Sequence, residues 1–260
     1  MAQIISVDGN IGSGKSTFLK ELKAEVAKQN IQNIIFIQEP VDQWSEIKFN
    51  NKTILEKFYE DPEKYAFPFQ MMAYISRLAL LRKAIKENPY SIIVSERSLF
   101  TDKYIFAKML YDDKKIDPYS YQIYNMWFDE FIRDLPDHKY LYLESSPGVI
   151  KQRINKRNRQ GENNIDINYL INCHEYHQEM FLNRKNLIAR INMDRFDIGE
   201  NNAKYKDLIN NTIRIISNEC AALENTSVYS KDIRIAYLAG IYSLLIVGLI
   251  FLIINYFIHG

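Results

Sequence analysis

The chain has 260 residues, 47% of them apolar, and its 33 Lys and Arg against 32 Asp and Glu leave a formal net charge of +1. That length suits one globular α/β domain with something appended, and the balanced charge argues against a surface built for polymeric nucleic acid. Cys173 and Cys220, the only cysteines, exclude a disulfide framework and lack metal-type spacing, which fits a reducing compartment.

Met1 leads almost at once into Ile4-Ile5-Ser6-Val7, a first strand with no room for a signal or transit peptide ahead of it. Gly9-Asn10-Ile11-Gly12-Ser13-Gly14-Lys15-Ser16 follows, and from Thr17 to about Lys28 the apolar residues Phe18, Leu19, Leu22 and Val26 recur at helical spacing. This is G-x-x-x-x-G-K-[ST] between a strand and a helix, where glycines let successive N–H groups curl around phosphate oxygens. The helix N-terminus adds positive potential, Lys15 reaches the terminal phosphates and the Ser16 hydroxyl reaches magnesium. A nucleoside triphosphate is the first expected ligand.

Ile34-Ile35-Phe36-Ile37 predicts a second strand, and strand, helix, strand opens a parallel sheet. Glu39-Pro40 falls just beyond its end, the side on which open α/β sheets bind ligands. Residues 54–88 read as helical with breaks near Asp61-Pro62 and Phe67-Pro68, and Ile92-Ile93-Val94 as a third buried strand that delivers Glu96-Arg97 to the same side. Helices are expected at about 98–111 and 118–134. The second carries Tyr121, Tyr124, Trp127, Phe128 and Phe131 on a broad face, read as core or dimer contact. Tyr140 to Leu143 is a fourth strand, Pro147 starts a helix, Ile188 to Ile191 is a short fifth strand, and a last helix covers about 202–222.

The helix from Pro147 runs into Arg153-Ile154-Asn155-Lys156-Arg157-Asn158-Arg159. A basic run is by default a solvated face, but beside a phosphate loop several guanidiniums on a mobile arm stabilise a migrating phosphoryl group, with 160–164 as the tip of a lid. Glu39 and Glu96 place carboxylates near that phosphate, where one can act as base toward a hydroxyl and one can bind magnesium. His174 and His177 sit three apart with no third ligand in view and read as structural.

From Ile235 to Ile258 no residue is charged, and a helix of that length reaches about 36 Å, enough for a hydrocarbon core of about 30 Å. Tyr237 and Tyr256 fall near the expected interfaces, and Lys231 and Arg234 precede the segment. The expected organisation is a catalytic domain over 1–222, a linker over 223–233 and a single-pass tail anchor over 234–258, with the domain on the cytoplasmic side.

Several of these motifs, in this order, resemble the deoxynucleoside kinases related to deoxycytidine and deoxyguanosine kinase. Gly9 to Thr17 is similar to that family's nucleotide loop, and Glu39-Pro40-Val41 with Trp44 to its base-carrying segment. Phe58-Tyr59-Glu60-Asp61-Pro62, Phe67-Pro68-Phe69-Gln70 and Ser76-Arg77 resemble its nucleoside pocket. Glu96-Arg97-Ser98 with Asp102 to Phe106 is the most specific match, and Arg153, Arg157, Arg159 and Glu162 resemble its lid.

The resemblance implies a three-layer P-loop kinase with a parallel sheet of about five strands and an arginine-rich lid. It also implies ATP or another triphosphate as donor, Mg2+, a deoxynucleoside acceptor and a homodimer. Glu39 would take the proton from the 5′-hydroxyl, Arg97 would align the two, and Ser16 with Glu96 would hold magnesium. Tyr59 and Glu162 would grip the 3′-hydroxyl; Gln70 would read the base, Trp44, Phe69 and Phe106 would wall it, and Arg77 with Asp102 would edge it. Deoxycytidine, deoxyadenosine or deoxyguanosine is expected over thymidine. The sequence departs from the family pattern at Asn158, often glycine, at Gly161-Glu162, where two acidic residues are common, and in its C-terminal anchor. The rival readings are a thymidylate-type monophosphate kinase, which would need a second anion pocket, and a membrane-anchored nucleotide-binding scaffold without turnover.

Overall fold

In the computed structural model, residues 2–157, 162, 165–196 and 202–223 are described. The first apolar run forms β1 (Gln3–Asp8), the glycine loop opens α1 (Lys15–Lys28), and Ile34–Ile37 forms β2. Next come α2 (Val41–Glu46), a small hairpin of β3 (Lys48–Phe49) and β4 (Lys52–Thr53), α3 (Ile54–Glu60), α4 (Pro62–Glu87) and β5 (Ile92–Glu96). Then follow α5 (Leu99–Thr101), a π-helical turn (Asp102–Ala107), α6 (Lys108–Asp112), α7 (Pro118–Ile132), β6 (His138–Glu144), α8 (Pro147–Arg157), α9 (Ile167–Phe181) and β7 (Leu187–Asn192). A last helix, α10, covers residues 203–223.

Five of the strands form one parallel sheet in the order β2-β5-β1-β6-β7. A parallel sheet is covered on both faces, so its central strands read as unbroken apolar runs, and the period of two sorts their side chains between layers. Ile5, Val7, Ile92 and Val94 pack with Leu19 and Leu22 of α1 and with Tyr205 and Ile213 of α10. Ile4 and Ile93 point to the other face, against Tyr74 and Leu78 of α4 and Tyr124 and Phe128 of α7. Each fully buried side chain of this kind contributes about 1.5–3 kcal/mol relative to exposure.

Two expectations are corrected. Helix α4 runs through Pro68 without a break, although the separation from α3 at Asp61 stands; Asp61 caps α4 by accepting from the Lys64 N–H, Pro62 opens it, and Pro68 lies within its first two turns. The helix at 98–111 widens into a π-helical turn from Asp102 to Ala107, a local insertion often found at functional sites. The β3–β4 hairpin was not anticipated, although Asn50-Asn51, with φ of 50° and 60°, is the kind of pair a two-residue hairpin turn favours.

On α7 the aromatic face divides. Tyr124 and Phe128 are buried against Tyr74, while Tyr119 and Met126 are 80% and 71% exposed and Ile123 and Trp127 are also exposed. Among the described residues no helix is long and apolar enough to cross a membrane. The expected anchor at 234–258 and all but the first residue of its linker lie outside the described residues.

Candidate active site

The ends of β1, β2 and β5 bring the predicted polar residues to one edge of the sheet. The loop after β1 needs glycine for two separate reasons. Gly12 and Gly14 hold φ of 76° and 98°, a left-handed conformation that side chains rarely adopt. At Gly9 a Cβ would lie 2.4 Å from the Leu143 carbonyl oxygen and 2.7 Å from Ser13 Oγ. Asn10 ties the loop to α9, donating from Nδ2 to the Leu170 carbonyl at 2.9 Å while its Oδ1 accepts from the Ile11 N–H at 2.8 Å.

Lys15 is buried, and its ammonium donates to the carbonyls of Gly9 at 3.0 Å and Asn10 at 2.8 Å. Burial, and then the neighbouring Arg97 cation, bring its pKa down to about 7 against the opposing pull of Glu96, Glu39 and Asp8. A cation held so near neutrality is responsive to the charge brought beside it. Ser16, one residue on, donates from Oγ to Glu96 Oε1 at 2.6 Å. These two side chains are hard oxygen donors facing each other beside the phosphate loop, a set that fits magnesium.

Arg97 follows Glu96 with φ of 65°, a strained setting for a residue with a side chain. Its N–H donates to the Val7 carbonyl at 3.0 Å, and its guanidinium reaches Gly9 O at 3.2 Å and Glu39 Oε1 at 3.3 Å. Glu39 Oε1 is also bound by Arg77 at 2.5 Å, and Arg77 forms a buried ion pair with Asp102. Burial works against the Arg77 charge, but Asp102 and Glu39 outweigh it and hold its pKa above the ordinary arginine value.

Beyond this charged group lies an aromatic chamber. Phe58 and Phe69 stack with ring centres 4.7 Å apart, Trp44 meets Phe69 edge-on at 5.8 Å and anchors its indole N–H on Ser76 Oγ at 2.9 Å. The Arg97 guanidinium lies over the Phe106 ring at 4.6 Å. Gln70 is 3% exposed, lines the chamber and has no hydrogen bond to another described residue. Phosphate loop and chamber form one cavity of about 780 Å³, within the range that holds small-molecule ligands. Tyr59 lines it too, its phenol pKa pushed far up by burial and then by Glu162, so it is a hydroxyl donor.

The lid residues divide differently from the expectation of several guanidiniums converging on phosphate. Arg153 donates to Ser145 Oγ at 3.0 Å and to the carbonyls of Met193 at 2.8 Å and Phe196 at 3.2 Å, joining α8 to the segment after β7 while still lining the cavity. Arg157 forms an ion pair with Glu162. Arg159 lies outside the described residues. His177 is core: its Nδ1 faces the Cys173 carbonyl at 2.5 Å and its ring stacks on Tyr142.

Sequence reasoning missed Tyr169, whose ring meets Tyr59 edge-on at 6.4 Å on the cavity wall, and nothing local marks it. It also missed Asp8, 0% exposed at the end of β1; a carboxylate closing an otherwise apolar strand immediately before a phosphate loop was the available signal. The arrangement as a whole places a carboxylate gripped by two arginines between a phosphate loop and an aromatic chamber with a free amide. That can activate a hydroxyl for phosphoryl transfer.

Comparison with known proteins gives the same direction. A family model described as deoxynucleoside kinase matches residues 5–217. The chain is 38% identical over 178 residues to a probable deoxycytidine kinase of Fowlpox virus, covering 67% of this chain and 70% of that protein. It is 30% identical to Homo sapiens deoxycytidine kinase over 82% of this chain and 90% of that protein. It is also 27% identical to the mitochondrial deoxyguanosine kinase of Xenopus laevis over 81% and 88%.

Proposed function

The chain belongs to the deoxynucleoside kinase family and is an ATP-dependent deoxynucleoside kinase, and on that premise we propose how its residues divide the reaction, which nucleosides it takes and where it works. The observation that carries the proposal is the position of Glu39, its Oε1 held by Arg77 at 2.5 Å and Arg97 at 3.3 Å in the cavity that the phosphate loop and the aromatic chamber share.

Glu39 accepts the proton of the nucleoside 5′-hydroxyl as that oxygen attacks the γ-phosphorus. Arg97 orients the carboxylate and, through its bond to Gly9, fixes it relative to the loop. Lys15, in the same loop, meets the triphosphate. Ser16 and Glu96 would hold Mg2+, which when bound with ATP neutralises phosphate charge. Tyr59 donates to the sugar 3′-hydroxyl, with Glu162 beside it; Phe69, Trp44 and Phe106 hold the base plane, and Gln70 offers the amide for its edge. The Arg77–Asp102 pair puts charge on the chamber wall beside Glu39, which favours deoxycytidine, deoxyadenosine or deoxyguanosine over thymidine. The names of the deoxycytidine and deoxyguanosine kinases among the relatives agree with that preference.

The enzyme is a homodimer that uses the exposed side of α7, where Tyr119, Ile123, Met126 and Trp127 make an apolar strip of the kind that marks a protein contact. It is tethered by residues 234–258. In support, Glu219 near the end of α10 pairs with Lys139 at the start of β6, so α10 leads toward the pole of the sheet opposite the cavity and a tether there leaves the site open to the cytoplasm.

The test is phosphate transfer from ATP with magnesium by the full chain to four deoxynucleosides and to their monophosphates. Transfer to deoxynucleosides alone is expected, and transfer to monophosphates alone would refute the division of roles. Carbonate-resistant membrane fractionation, with the kinase domain cleaved by protease added outside sealed vesicles, is the expected outcome for the tether; release by carbonate or full protection of the domain refutes it.

A further inference from the structure

Asp8 lies outside every role assigned so far, yet it is wholly buried beside the site. One oxygen, Oδ1, accepts from the Ser98 N–H at 3.0 Å, from the Ser98 hydroxyl at 3.3 Å and from the Thr101 hydroxyl. The Ser98 and Thr101 hydroxyl oxygens lie 2.8 Å apart, and Ser98 Oγ accepts from the Thr101 N–H at 3.0 Å. The other oxygen, Oδ2, is buried and has no hydrogen-bond partner among the described residues.

The neighbours on either side of Asp8 grip the same segment. The Val7 carbonyl accepts from the Arg97 N–H at 3.0 Å, and the Gly9 carbonyl accepts from the Arg97 guanidinium at 3.2 Å. Three consecutive residues therefore hold Arg97, Ser98 and Thr101, from backbone, side chain and backbone in turn. What they hold is costly to keep. Arg97 has a positive φ, and the helix that Ser98 caps widens at once into the π-helical turn that begins with Asp102. Strain of this kind persists only where surrounding contacts over-determine it.

We propose that Asp8 is a positioning residue for the transfer: by clamping the Ser98–Thr101 turn it sets Arg97 toward Glu39 on one side and Asp102 toward Arg77 on the other. The inference rests on the roles assigned above to Arg97 and Asp102. A carboxylate suits the task because a single charged oxygen holds three donors in a space closed to water, and hydrogen bonds to charge are the stronger kind.

The test compares the full-chain variants Asp8→Asn, Asp8→Ala and Thr101→Val, with Arg97→Ala and Asp102→Ala in the same series, by kcat, KM and the deoxycytidine-to-thymidine ratio of kcat/KM. Thr101→Val keeps the side chain's shape and removes one donor, so it guards against Asp8→Ala failing to fold. Asp8→Ala and Thr101→Val are expected to lower kcat by about tenfold or more and to shrink the nucleoside ratio, with Asp8→Asn partly restoring both. In an Asp102→Ala background Thr101→Val should no longer change the ratio, since residues acting through one another are not additive. Normal kcat and ratio in Asp8→Asn and Thr101→Val, while Arg97→Ala and Asp102→Ala are impaired, would overturn the role of Asp8 and leave the site reading standing. If Arg97→Ala and Asp102→Ala are themselves normal, the site reading falls and the inference with it.

Discussion

Glu39 and Arg77, 38 residues apart, meet at 2.5 Å, so the carboxylate assigned as base shares a cation with Asp102, the residue proposed to edge the nucleobase. Sequence resemblance pairs Glu39 with Arg97 alone. The second arginine joins Glu39 to Asp102 through one side chain.

Replacing Glu39 by Gln keeps the shape and one acceptor while removing the proton acceptor. The turnover number should fall by about two to four orders of magnitude with ATP affinity little changed. Steady-state kinetics with equilibrium ATP binding checks this, and near-normal turnover would remove Glu39 from the role.

Wild type should favour deoxycytidine, deoxyadenosine or deoxyguanosine over thymidine by at least about tenfold in kcat/KM, roughly 1.4 kcal/mol. Arg77→Met with Asp102→Ala removes a buried charge pair together, which avoids leaving either partner alone, and should raise the relative kcat/KM of thymidine. Because Arg77 also touches Glu39, the double variant should lose kcat on every substrate while its ratio shifts. An unchanged ratio across the four natural deoxynucleosides would show that the pair does not set specificity.

Gly9→Ala forces a methyl to within 2.4 Å of a backbone carbonyl on β6, an approach that no rotamer change relieves. The loop must shift, and ATP binding measured by calorimetry should weaken by at least about tenfold while the far-UV spectrum stays that of the folded chain. Unaltered ATP binding would contradict the close approach.

His177 is buried and its pKa is lowered to about 3 by that burial, against the hydrogen bond that its ring Nδ1–H donates to the Cys173 carbonyl. An unfolded histidine titrates near about 6.5, so the unfolded state binds more protons at intermediate pH. The stability contributed by keeping His177 neutral is fully present above about 6.5 and is lost as pH falls toward the folded value, about 2 kcal/mol by pH 5. In His177→Phe the difference in urea-unfolding free energy between pH 7 and pH 5 should shrink by that amount. An identical pH dependence would mean that His177 is not held neutral.

The fold was legible wherever local chemistry is periodic. Central parallel strands buried on both faces produce the short apolar runs at 4–7, 92–94 and 140–143, the half-buried edge strands leave the runs at 34–37 and 188–191, the last interrupted by Arg190, and all five are strands of one sheet. Pro68 misled because a proline is read as a breaker from sequence alone, whereas the helix that contains it is packed around Ala66 and Phe69 against Trp44 and Phe58 and, from Tyr74 on, against β5 and α7. The hairpin at Lys48–Thr53 was legible only in its Asn50-Asn51 turn, since strands of two residues carry no period.

The sequence by itself determined the phosphate loop, because G-x-x-x-x-G-K-S acts through its own backbone and needs nothing distant, and it determined which carboxylates and arginines stand at strand ends. Only the tertiary structure decided how they are shared. Arg77 comes from the middle of α4, Glu39 from the end of β2 and Asp102 from a π-helical turn, and no spacing in the chain encodes that these three meet. Arg153, which looks like a free lid cation in the sequence, is bound to Ser145 and to the Met193 and Phe196 carbonyls because β7 and α8 converge there. Asp8 is a single letter after an apolar strand until the sheet order sets β1 beside β5, and that adjacency brings its carboxylate to the Ser98–Thr101 turn.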